Sequence, residues 1–179
     1  MKKYLVIGNP IEHSLSPKLH NYWFEKNNID ANYDRRKIDK SEIQEIINEI
    51  KDNKLDGINV TVPFKSDVIP FLDTLSEESK ITQSVNTIYI HDKKLIGHNT
   101  DIKGFELSLK ETQFNLENKT ILILGAGGVV PSIIYALEKL GVSKIIVSNR
   151  TKQKTEKLKK YFSNIGIADW GDIPEFDMI

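Results

Sequence analysis

Thr120-Ile-Leu-Ile-Leu-Gly-Ala-Gly-Gly128 joins an uninterrupted apolar run to a cluster of glycines. An apolar run without alternation is the pattern of a strand in a parallel sheet covered on both faces. A helix over Pro131–Leu140 and a strand over Lys144–Ser148 complete a βαβ unit around it. A further helix (Lys152–Phe162) and a short strand (Ile165–Ala168) extend the alternation, and another strand begins at 177–179. Between the first strand and its helix, Gly125, Ala126, Gly127, Gly128 and Val129 form the turn. Glycines there allow a tight reversal and let backbone N–H groups approach a pyrophosphate at the helix N-terminus. The third fingerprint position falls on Val130 rather than a small residue, so helix and strand pack less closely or slightly shifted. After the second strand, where an NAD site places a carboxylate, the chain reads Asn149-Arg150-Thr151. Arg150 is a planar cation suited to a 2′-phosphate, and Lys154 adds a second charge one helical turn on. The expected cofactor is NADP rather than NAD.

The first half alternates strands and helices too, and one stretch in it carries most of the chemistry. In Gly57-Ile-Asn-Val-Thr-Val-Pro-Phe-Lys65, Ile58, Val60 and Val62 alternate with Asn59 and Thr61. That is a strand with one apolar face and one hydrogen-bonding face, broken at Pro63 just before Lys65. Around it the pattern predicts strands over Tyr4–Gly8, Asn32–Ile38, Asn86–His91 and Lys94–Gly97, the last two a hairpin about Asp92-Lys93. Helices are expected over 16–27, 43–50 and, briefly, 66–72. Ser16 is expected to cap the first ahead of Pro17, burying Leu19, Tyr22, Trp23 and Phe24. Ser41 and Gln44 are expected to cap the second. Asp101 can cap a helix reaching about Glu111, and 112–119 is polar. The fold class is α/β: an N-terminal α/β unit with a mixed sheet, followed by a partial Rossmann-like, doubly wound unit. The divisions are 1–101, a linking helix and hinge over 102–118, and 119–179.

Composition narrows the function. The 179 residues carry zero formal net charge, which argues against a broad nucleic-acid footprint. With no cysteine, disulfides, thiolate nucleophiles and cysteine zinc sites are excluded. The apolar run at the start stops at Gly8-Asn9-Pro10, too short for a signal peptide or a membrane span. The chain is expected to be cytoplasmic, without membrane or nucleic-acid partners. No histidine–carboxylate grouping has metal-ligand spacing, so no metal is expected.

Polar clusters recur through the first half: Ser14-Leu-Ser16-Pro17, Asn59-Val-Thr61 with Lys65, Ser84-Val-Asn86-Thr87 and Asn99-Thr-Asp101. Singly, each has a structural explanation as a cap, a strand end or a surface lysine. Together, His13-Ser-Leu-Ser-Pro17, Gly57 to Lys65, Val85-Asn-Thr87, Gly97-His-Asn-Thr-Asp101, Gly125-Ala-Gly-Gly128 and Asn149-Arg-Thr151 resemble the shikimate dehydrogenase family in order and spacing. The resemblance covers essentially the whole chain. It implies reversible, NADP-linked reduction of 3-dehydroshikimate to shikimate, a step of aromatic amino-acid biosynthesis. It implies that Ser14, Ser16, Thr61, Asn86 and Asp101 hold the substrate's carboxylate and hydroxyls, that Asn59 supports or joins them, and that Lys65 is the catalytic lysine. Glu77 falls where some members place a residue near the nicotinamide. His13 is expected to be a loop residue, with His98 beside the site but not in it.

The residue types suit that chemistry on their own terms. Hydride delivery to a ketone creates an alkoxide, which needs a proton and a nearby positive charge, and an ammonium supplies both. Asp101, within hydrogen-bond reach of Lys65, would orient it. The family continues well beyond the position of Ile179, so the chain reads as truncated on its C-terminal side. The nicotinamide side of the sheet would then be missing, and weak or absent turnover is expected of these residues alone, with an exposed sheet edge near Ile179. The alternatives are a quinate or dual-specificity dehydrogenase and a non-catalytic ligand-sensing domain on the same scaffold. A homodimer is left open.

Overall fold

The structure, a computed structural model, describes residues 1–179. It divides into two compact units, residues 1–99 and 100–179. No helix is long and apolar enough to cross a membrane.

The first unit runs β1 (Lys2–Gly8), α1 (Ser16–Lys26), β2 (Ala31–Lys37), α2 (Ile43–Lys51), β3 (Gly57–Val60), β4 (Thr74–Leu75), α3 (Glu77–Thr82), β5 (Thr87–His91) and β6 (Lys94–His98). Its sheet has the order β2-β1-β3-β5-β6-β4. β1 is parallel to β2 and β3, while β5 is antiparallel to β3 and β6. Asp92 and Lys93 both take positive φ (49° and 62°) in the expected hairpin turn. Such a turn matches the right-handed twist of its strands.

The two faces of this sheet differ, because strand side chains alternate. Leu5, Ile7, Ile58 and Val60 pack with Ile43, Ile46, Ile47 and Ile50 of α2 into the main core. Each fully buried isoleucine there stabilises by about 1.5–3 kcal/mol. Val6 and Tyr33 lie in a smaller cluster, against which Tyr4 and Phe24 of α1 pack. No residue of α1 is fully buried. The expectation that Leu19, Tyr22 and Trp23 are core residues is therefore wrong: they are 55%, 54% and 47% exposed. Tyr22 and Trp23 instead pack edge to face on the outer side of α1, with the Lys26 ammonium over both rings.

Local signals also departed from expectation. Leu15, not Ser16, holds the N-cap position of α1, and no side chain caps it. Ahead of α2, the chain makes a 3-10 turn over Lys40–Glu42, with the Glu42 carboxylate accepting from the Asp39 N–H at 2.6 Å. Gln44 donates to Asn48 instead of capping. Only a 3-10 turn, Ile69–Phe71, forms in the stretch expected to be helical at 66–72. Pro70 within it lacks a donor N–H. β4 and α3, the latter capped by Ser76, had no forecast.

The second unit contains α4 (Asp101–Glu111), β7 (Thr120–Leu124), α5 (Val130–Lys139), β8 (Lys144–Ser148), α6 (Lys152–Leu158) and β9 (Ile165–Ala168). β7, β8 and β9 are parallel in that order. Met178 pairs with Ile121 on the far side of β7, where the next strand was expected to begin. The helix expected to link the units belongs to the second one. Thr100 holds its N-cap position, with Asp101 in the first turn, where a carboxylate favours the helix dipole. Ile121, Ile123, Ile134, Leu137, Ile145, Val147 and Leu158 form the core. β7 was expected to be covered on both faces. Leu122 is buried, but Leu124 at the strand's end is 56% exposed, beside an apolar cavity of about 420 Å³ that Trp170, Ile173 and Phe176 also line. α6 stops at Leu158, before the expected Phe162, and the following turns tighten to i→i−3 bonds at Lys160 and Tyr161.

Candidate active site

A cavity of about 280 Å³ lies at the end of β1 in the first unit, with Ser14, Ser16 and Thr61 on its wall. Ser14 and Ser16 come from the loop after β1 and the first residue of α1, and the Ser16 N–H donates to the Ser14 hydroxyl at 3.3 Å. Thr61 follows β3, its N–H bonded to the carbonyl of Ile7 at 2.9 Å. Gly8 permits this approach: a Cβ there would come within 2.6 Å of Thr61 Cγ2 and 3.1 Å of the Val62 carbonyl. The peptide bonds Asn9–Pro10 and Val62–Pro63 flanking the cavity are cis. His13, expected only as a loop residue, also lines the cavity.

Elsewhere in the first unit the side chain of Asn59 and the backbone and side chain of Asn86 belong to one network. The Tyr33 hydroxyl donates to Asn59 Oδ1 at 2.6 Å. Asn59 Nδ2 donates to the Asn86 carbonyl (3.1 Å) and to Thr87 Oγ1 (3.0 Å). The Asn86 backbone is held from both sides: its carbonyl accepts from Val60 N–H at 2.9 Å and its N–H donates to the His98 carbonyl at 3.0 Å. Lys65 is half-buried, and its carbonyl accepts from the Val85 N–H at 2.8 Å, so its backbone abuts that of Asn86. Buried Asn99 donates to the Ser84 carbonyl at 2.9 Å, bracing the same segment. Sequence reasoning missed Tyr33, Thr87 and Asn99 as parts of this framework. Thr87 and Asn99 stood inside quoted motifs, whereas nothing local marks Tyr33.

Glu77 sits in the first turn of α3, largely exposed and paired with Lys80 at 2.6 Å. In the second unit, Asp101 is half-buried at the start of α4.

The glycine turn after β7 has the form expected of a phosphate cradle. Gly125 has φ of +111°, a conformation L side chains rarely adopt, and its N–H donates to the Ser148 carbonyl at 2.7 Å. Gly127 and Gly128 are exposed, and a Cβ at either would meet nothing within 4 Å. The turn ahead of α5 thus leaves space on the side-chain side of both glycines. Val130 is 6% exposed and is taken into the core, so the missing small residue is absorbed by packing. At the end of β8, Asn149 Nδ2 donates to the Thr151 carbonyl at 2.9 Å, turning the chain and leaving Arg150 exposed. Lys154 is exposed one turn into α6, while Lys152 is held by Asp169 at 2.7 Å, which pushes its ammonium pKa up.

Residues 6–88 match the model of the shikimate dehydrogenase substrate binding domain, and residues 106–175 that of shikimate / quinate 5-dehydrogenase. A shikimate dehydrogenase (NADP(+)) of Pelagibacter ubique is 59% identical over 178 residues, which make up 99% of this chain and 67% of that protein. The chain belongs to the shikimate dehydrogenase family. The crystal structure of shikimate dehydrogenase from Aquifex aeolicus is similar with a TM-score of 0.87 and 40% identity, over 94% of this chain and 62% of that one. That of shikimate 5-dehydrogenase from Thermus thermophilus, in complex with NADP(H) and shikimate, gives a TM-score of 0.84 and 30% identity over 94% and 63%. The chain spans between 58% and 67% of the length of the first curated shikimate dehydrogenases it matches.

Proposed function

We propose that the chain binds shikimate or 3-dehydroshikimate in its first unit and NADP in its second, and serves their reversible, NADP-linked interconversion in aromatic amino-acid biosynthesis. The observation that carries this is the cavity of the first unit: Ser14, Ser16 and Thr61 bring three hydroxyls to one small pocket, beside Val6, Pro10 and Ile11. A carboxylated polyol suits such a pocket, since each ligand hydroxyl left unpaired on desolvation costs about 1–3 kcal/mol. Ser14, Ser16, Thr61, Asn86 and Asp101 hold the carboxylate and ring hydroxyls, with Asn59 supporting or joining them. NADPH, when bound, supplies the hydride to the ketone carbon. Lys65 gives its proton to the oxygen that becomes the hydroxyl and takes it back in the oxidation direction. Asp101 is the carboxylate that orients this exchange. Glu77, paired with Lys80 at the start of α3, stands near the nicotinamide end.

Gly125 to Val129 hold the pyrophosphate through backbone N–H groups, and Asn149, Arg150, Thr151 and Lys154 hold the adenosine end with its 2′-phosphate. The same reading places the protein in the cytoplasm.

Calorimetric titration with shikimate, quinate, NADP and NAD, alongside NADPH formation from shikimate and NADP, tests the proposal. Shikimate is expected to bind more tightly than quinate, and NADP more tightly than NAD. A chain that takes up NADP but neither acid would refute the substrate assignment. In a form of the protein as long as its relatives, binding of shikimate with no NADPH formed would support the sensing alternative.

A further inference from the structure

The Asn59 amide has a direction set by its surroundings. Its Nδ2 faces the Asn86 carbonyl, which can only accept, so the nitrogen must lie on that side. Its Oδ1 then faces the Tyr33 hydroxyl, which donates to it. Thr87 Oγ1 accepts from Asn59 Nδ2 and has one proton, which it donates to Asn86 Oδ1 at 3.0 Å. The bonds therefore run one way: Tyr33 to Asn59, Asn59 to Thr87, Thr87 to Asn86. Donors aligned in series polarise one another. Asn86 thus turns its carboxamide oxygen toward Thr87.

Tyr33 is itself held firmly. Its side chain reaches from β2 across β1 to β3, and the residue is 4% exposed. Its ring stacks on that of His20 with centroids 4.2 Å apart and planes at 12°. Asn21 bonds both its N–H (2.9 Å) and its carbonyl (2.8 Å). Burial pushes the Tyr33 hydroxyl well above its ordinary pKa and lowers that of His20.

We infer that Tyr33 is a positioning residue of the substrate site: through Asn59 and Thr87 it holds the Asn86 carboxamide with its oxygen toward Thr87. This rests on the assignment of Asn86 to the substrate site, proposed above.

The test uses the full chain with Tyr33→Phe, Thr87→Val, Asn86→Ala and the pair Tyr33→Phe/Asn86→Ala. Loss of one hydrogen bond in the relay is expected to weaken shikimate binding about fivefold in Tyr33→Phe and in Thr87→Val. The double variant should bind no worse than Asn86→Ala, because Tyr33 acts through Asn86. The ligand-free readout is the pair of side-chain N–H resonances of Asn86, identified by their loss in Asn86→Ala. They should shift in both Tyr33→Phe and Thr87→Val. Additive losses in the double variant, or Asn86 signals unmoved by Tyr33→Phe, overturn the inference. If Tyr33→Phe does not fold, unmoved signals in Thr87→Val overturn it equally. Shifted Asn86 signals in a chain that binds no shikimate would uphold the relay and remove the substrate assignment instead.

Discussion

Both proposed ligand regions lie at or just past the carboxyl ends of parallel strands, β1 and β3 in the first unit and β7 in the second, yet they are built from opposite materials. Around Asn59 and Asn86, side chains hold one another in fixed directions, and the pocket of Ser14, Ser16 and Thr61 presents hydroxyls. At Gly127 and Gly128 the chain carries no side chain, and a Cβ at either would meet nothing within 4 Å. A ligand whose hydroxyls differ only in their arrangement on a ring needs directional side chains to be recognised. A pyrophosphate common to many cofactors needs only N–H groups and the dipole of a helix. On the function proposed, specificity for the cofactor falls to Arg150, on a separate strand end.

Substitutions on the two sides should therefore fail differently. In a form of the protein as long as its relatives, Lys65→Ala is expected to lower kcat by roughly 10²–10⁴ with little change in shikimate affinity. Steady-state rates set beside calorimetry check this, and a change confined to KM would make Lys65 a binding residue. Gly127→Asp places a like charge and a side chain in the cradle. It should weaken NADP binding by about 100-fold, or ~2.7 kcal/mol, and leave shikimate binding intact. Were both affinities to drop together, the two sides would not be separable.

Arg150→Ala should reduce the NADP over NAD preference by about 10- to 100-fold, since a charge-assisted bond contributes about 1.5–3 kcal/mol. Competition titrations with the two cofactors measure it. Thr61→Ala should weaken shikimate binding about fivefold, or ~1 kcal/mol, with NADP unaffected.

The smallest effect concerns stability alone. Glu106 of α4 is 6% exposed, and its bond from Lys139 of α5, 2.8 Å away, holds its carboxyl pKa below the ordinary value against the opposing effect of burial. A carboxyl lowered by folding stabilises above its unfolded pKa, and that contribution is lost as pH falls through the folded value. Glu106→Gln should thus be less stable than wild type at neutral pH, with the gap closing in acid. Urea denaturation at both pH values checks it, and an equal gap would mean the charge is irrelevant.

The second unit was legible because its signals are local. An apolar run, a glycine turn and periodic helices placed β7, α5, β8 and β9 within a residue or so. The first unit was legible in its strands and in the motifs of its site. The errors came where a residue's role depends on what faces it. Leu19, Tyr22 and Trp23 looked like core because they are large and apolar, but the side of α1 that meets the sheet carries His20, Asn21 and Phe24 instead. Tyr33 carried no local signal, since only the fold brings its hydroxyl across β1 to Asn59. Ser41 and Gln44 matched a capping pattern that Asp39 and Glu42, two residues upstream, fulfilled first.

Asn21 has a consequence beyond holding Tyr33. β2 is the outermost strand of its sheet, where an exposed row of peptide groups would invite addition of a foreign strand. The Asn21 carboxamide takes both outward groups of Tyr33, much as a neighbouring peptide would. The N–H groups of Ala31 and Arg35 are likewise occupied, by the Ile29 carbonyl and the Asp34 carboxylate. A strand from another molecule would have to break these bonds before it could form its own, so the sheet is closed to growth at this margin by side chains and turns.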